Sequence, residues 1–153
     1  MVLLFSIGAA LLYAVWVTWR FGGHGLTNQY VYVVPIVIPF VSFLFDRAEQ
    51  VRQLRVVGLL VDIVVVGAAM MRVVSTLPLV SGHTLFLTYA ILGPGSRVTR
   101  ITASLVMIEV IYLKYFVWHD SISSSIGIAL GIIAALIAHR FGWKPAKWAT
   151  GRN

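Results

Sequence analysis

Six apolar runs divide the chain, at residues 2–19, 30–45, 56–75, 76–93, 101–118 and 121–138, and none carries more than two charged residues. Runs of 16 to 20 residues that lack period-2 alternation predict helices of bilayer-crossing length, which satisfy their backbone hydrogen bonds internally. A barrel would need alternation along each strand, and none is present. The second run, "YVYVVPIVIPFVSFLF", contains Pro35 and Pro39, which predicts a kinked or tilted helix. The breaks between runs are short: "STLP" separates the third from the fourth, and His119 with Asp120 separates the fifth from the sixth. No solenoid repeat is evident. The first run follows no basic segment and precedes no small-residue cleavage site, so it reads as a retained span.

Composition agrees with this pattern. Of 153 residues, 59% are hydrophobic and 11% charged, more apolar surface than a water-soluble domain of this length can hide. No polar stretch is long enough to fold separately, so residues 1–153 form one membrane domain. The expected fold is all-α: a polytopic protein of the cell membrane with six transmembrane helices. The formal net charge is +7, yet the cations sit in short loops and the tail, where topology and anionic headgroups account for them without nucleic acid. The segments "DRAEQVRQLR", "PGSRVTR" and the C-terminal tail hold nine of the twelve Lys and Arg residues. With six spans all three lie on one side, and the positive-inside rule makes that side, and both termini, cytoplasmic. The absence of cysteine excludes disulfides, thiolate metal sites and cysteine nucleophiles.

The remaining cations, Arg20, Arg72 and Lys114, fall near the outer ends of spans, beside His24, His83, His119 and Asp120. Snorkelling at the interface explains any one of these better than it explains their concentration. In "SGHT" (81–84), glycine permits a tight turn and a hydroxyl can cap the helix start, while His83 would face a polar mouth as an acid or base. His119 lies 36 residues further on, a length that runs down and back to the same face. His119 and Asp120 equally suit a polar loop, with Asp120 or Ser121 as a cap. Arg72 and Lys114 read either as an anion clamp or as interfacial anchors. Asp62 and Glu109 lie roughly 10–14 Å from the cytoplasmic ends of their helices by residue rise. Acids at that depth suggest a proton or cation path, or a protonated structural pair.

These residues resemble the type 2 phosphatidic acid phosphatase superfamily, six-span membrane enzymes. That family carries Pro-Ser-Gly-His at the start of span four and Ser-Arg-x5-His-x3-Asp near the start of span six. Here "SGHT" stands at 81–84, and His119 is followed eight residues later by Gly127. The family's Lys-x6-Arg-Pro motif is absent, with Arg72 a loose stand-in. Leu113, adjacent to Lys114, stands at the family's arginine position, and Ser123 at its aspartate. The resemblance covers roughly the second half of the chain. It implies that His119 attacks phosphorus, that His83 protonates the leaving oxygen and that Asp120 orients His119. Arg72, Lys114 and Ser81 would bind the substrate, a lipid phosphate in the bilayer, without a metal or other cofactor.

A second resemblance is to the exosortase and archaeosortase family. "HGLTNQYVYVVPIVIPFVSFLFDR" looks like that family's "HGxLVP" opening, and "VWHDSISSSIG" like its closing segment. Those enzymes are cysteine transpeptidases, a mechanism closed to a chain without cysteine, so this resemblance implies a cysteine-less exosortase-like protein, a divergent, inactive or repurposed relative. A third class stays open on the incomplete motifs, the short loops and the buried acids: a non-enzymatic subunit partnering other membrane proteins, or a small transporter.

Overall fold

A computed structural model of the chain describes residues 2–21, 35–50, 55–71, 80–117 and 119–142. Among these the protein is all-helical. Helices α1 (Val2–Phe21), α2 (Val37–Gln50), α3 (Val56–Met71), α4 (Gly82–Leu92) and α5 (Arg97–Tyr112) are followed by a π-helical turn at Leu113–Val117 and by α6 (Ser121–Phe141). Pro35 precedes α2 and Pro39 lies in its first turn. An amide there has no intrahelical acceptor, so the proline costs the helix no bond. From Val37 the helix runs to Gln50, while residues 30–34 of the second run lie outside the described residues.

Helices α2 and α5 extend beyond their apolar runs where polar groups fold back into the bundle. At the end of α2, buried Asp46 accepts the Ser96 backbone N–H at 2.8 Å. Ser96 then caps α5, its Oγ accepting from the Thr99 N–H at 3.2 Å, which starts that helix at Arg97 and not at residue 101.

Helix α4 is the centre of the bundle. Its sequence is apolar nearly all round, the pattern of a helix surrounded by others, and it packs on α2, α3, α5 and α6. Leu85, Phe86, Leu87, Tyr89 and Ala90 from α4 meet Phe43, Val106, Met107, Val110 and Ala135 in the core. On α6, Gly127, Gly131, Ala135 and Ala138 form a buried small-residue edge. A Cβ at Gly131 would lie 2.8 Å from the Leu85 carbonyl oxygen and 2.7 Å from Thr88 Cβ. Glycine thus lets the backbones of α4 and α6 approach closely, the role small residues have where helices associate in lipid.

The exterior is apolar too. Leu4, Leu12, Trp19, Ile108 and Ile122 are among the large hydrophobic side chains on the surface, and so much exposed apolar area suits a non-aqueous surrounding. Among the described residues one helix, Ser121–Phe141, is long and apolar enough to cross a membrane; Leu4–Trp16, Val56–Ala69 and Gly82–Leu92 are apolar but shorter.

Candidate functional site at the shared start of α4 and α6

Two polar clusters occupy opposite ends of the bundle. At one end α4 and α6 begin side by side: the Ser81 N–H donates to the Ser123 carbonyl at 2.9 Å. Thr84 Oγ1 reaches both the Ser81 and Ser124 carbonyls at 3.1 Å. His83, half-buried in the first turn of α4, and His119, exposed just before α6, therefore belong to one end of the molecule. Ser81 is the N-cap of α4, yet its hydroxyl makes no capping bond. Its Oγ is fully buried and has no hydrogen-bond partner among the described residues.

Lys114 and Asp120 reach this end from the π turn and the α5–α6 connection. Lys114 is 3% exposed, and its Nζ donates to Asp120 Oδ2 at 2.6 Å. Asp120 Oδ1 accepts from Ser123 Oγ at 2.6 Å. The Asp120 carboxylate thus binds Lys114 and Ser123. His119 itself adopts a left-handed backbone, φ 50°, a conformation uncommon outside glycine and costly by about 1–2 kcal/mol. Arg72 and His24 lie outside the described residues.

The opposite end holds a cluster that sequence reasoning did not assemble. Asp62 on α3 accepts from Arg47 Nε at 2.6 Å, from Arg47 Nη2 at 3.1 Å and from the Tyr89 hydroxyl at 2.5 Å. Arg47 Nη1 also donates to the Pro94 carbonyl at 2.7 Å, and the guanidinium lies 4.3 Å from the centre of the Phe43 ring. The fork geometry of arginine meets a carboxylate with two parallel donors. A charged group in an apolar helix requires a partner, and that was the available signal for Asp62. Its partner is Arg47, 15 residues earlier, and not Glu109. Glu109 is half-buried on α5 and makes no side-chain hydrogen bond or ion pair among the described residues. The helices carrying the two acids lie against α4 in common, α3 packing also on α6 and α5 also on α2.

No group of three or more His, Asp or Glu side chains able to hold a metal ion occurs among the described residues. Comparison of the chain with protein-family models, with curated proteins and with solved structures finds no match.

Proposed function

We propose that the chain is a six-span protein of the cell membrane, with both termini cytoplasmic, and that its outer end binds and hydrolyses a lipid phosphate. Three features support the membrane placement. Successive helices alternate in direction, with His83 and His119 at one end and Arg47, Arg97, Arg100 and Arg140 towards the other. Exposed Trp16, Trp19, Tyr112 and Phe116 lie toward the histidine end, where an interfacial aromatic belt would sit. Cations concentrate at the arginine end, as they do in the cytoplasm. The Cys-free chain permits a direct test. Single cysteines at Ser121 and at Arg97 are expected to react with an impermeant maleimide from opposite sides of sealed vesicles; labelling from the same side would overturn the topology.

The observation that carries the chemical reading is the joined start of α4 and α6. Two helix N-termini side by side present unsatisfied N–H groups and positive potential to an anion. His83, His119 and the unpartnered Ser81 hydroxyl belong to the same end. In the proposed reaction the His119 imidazole attacks phosphorus and the bond to the lipid oxygen breaks. His83 gives that oxygen a proton, then takes one from the water that hydrolyses the phosphohistidine. Arg72 enters this scheme only through the family resemblance. With phosphatidic acid in mixed micelles, His119→Asn is expected to abolish both phosphate release and the phosphoenzyme. His83→Asn is expected to cut turnover by about 10²–10⁴-fold, the usual contribution of a general acid–base. Wild-type turnover in both variants would overturn the assignment.

A second reading, a non-enzymatic subunit of a membrane complex, draws on a groove between α3 and α6. Its volume is about 330 Å³, and Val57, Leu60, Val64, Leu130 and Ile133 are among its exclusively apolar lining residues. Under that reading a partner's helix would fill the groove, and both histidine variants would behave as wild type.

A further inference from the structure

The residue that follows the left-handed His119 is bonded through both its backbone and its side chain. Asp120 is bound through four polar atoms: its N–H donates to the Lys114 carbonyl at 2.8 Å and its carbonyl accepts from Ser124 Oγ at 2.8 Å. Its two carboxylate oxygens take Ser123 Oγ and Lys114 Nζ, each at 2.6 Å. Two of those four bonds come from Lys114, whose carbonyl and ammonium both reach Asp120 across the π turn. A residue kept in a sparsely populated backbone region persists when its surroundings over-determine it, and such residues gather at functional sites. Here the determining contacts fall on the adjacent residue.

We propose that the Lys114–Asp120 ion pair is a positioning device, fixing the turn that aims the His119 imidazole, and that Lys114 acts through Asp120 and not as a direct clamp on the substrate anion. The catalytic part of this proposal rests on the phosphatase reading, whereas the conformational part stands apart from it. The arrangement also differs from orientation by the Asp120 side chain, because the carboxylate holds the backbone turn and bonds to Lys114 and Ser123.

Two arms test it on the purified full chain in detergent micelles. In the first, ring-labelled histidine is followed by NMR, with the His119 signal assigned by its loss in His119→Gln. A single narrow signal is expected in the wild type, and shifted or multiple signals in Asp120→Asn. Because Asp120→Asn removes the counter-charge of a buried cation and can unfold the chain, Lys114→Met/Asp120→Leu serves as the second variant. Replacing a buried pair by apolar groups of similar volume is often neutral for stability. That double variant is expected to keep its thermal midpoint yet show the same disturbance at His119. An undisturbed signal in the folded double variant overturns the proposal.

In the second arm, phosphate release from phosphatidic acid is measured in both variants. A misaimed nucleophile predicts a kcat lower by about a hundredfold with KM held. A raised KM with kcat held overturns the proposal by making Lys114 a direct anion clamp. A wild type that releases no phosphate defeats the phosphatase reading, and the NMR arm still decides the conformational one.

Discussion

Arg47→Met is expected to destabilise the protein by about 3–5 kcal/mol, the cost of leaving a buried charge without its counter-ion. Asp62 is 6% exposed and receives two of its three hydrogen bonds from the Arg47 guanidinium. With Arg47 gone, the Tyr89 hydroxyl remains as its donor, and one neutral bond does not balance a carboxylate in an apolar interior. The Pro94 carbonyl loses its Arg47 donor at the same time. Unfolding measured in detergent against added denaturing surfactant gives the comparison. Arg47→Met/Asp62→Leu is expected to recover much of the loss, since removing both charges removes the stranded one. Near-wild-type stability of the single variant would show that the pair is not buried in the folded protein. Asp62→Asn tests the ion-path idea alongside: with Asp62 serving the pair, it is expected to lower stability without creating or abolishing any ion-coupled uptake.

Gly127→Val is expected to part α4 from α6 and destroy the site even in molecules that remain folded. A Cβ at residue 127 would overlap Thr84 Oγ1, lie 2.6 Å from the Ser81 carbonyl oxygen and lie 3.1 Å from the Leu85 nitrogen. Two of these three are backbone atoms, which cannot rotate away. Relief requires the helices to separate, which strains the Ser81–Ser123 and Thr84–Ser124 bonds that join them. Overpacking costs about 1–3 kcal/mol and two lost hydrogen bonds about 1 kcal/mol each, so a loss of roughly 3–5 kcal/mol is expected. Gly127→Ala adds one methyl and should fall between. Wild-type stability and a wild-type His119 NMR signal in Gly127→Val would mean that the two helices do not meet as described.

The helical architecture was legible because long charge-poor runs without alternation leave the backbone few solutions other than helix. The ends of helices were less legible. Asp46 and Arg47 look like loop charges in "DRAEQVRQLR", and only the folded chain shows them turned inward toward Ser96, Asp62 and Pro94. The grouping of His83 with His119 followed from helix lengths and direction. The bonding of Lys114 to Asp120 did not, because it spans a π turn and such turns carry no reliable sequence pattern. The paired glycines of α6, four residues apart, do carry a packing signal. The phosphatase resemblance rests on Gly127 and does not involve Gly131.

Helix α1 differs from the rest in how it is held. Its principal contact among the described residues is α2, through the Ser6–Ser42 hydrogen bond at 3.1 Å and the Phe5–Phe45 ring pair. The other five helices share a network in which loosening one disturbs several. Opening free energies within a protein follow the density of such contacts. Among the described residues, α1 is therefore expected to open at lower cost than the helices packed around α4.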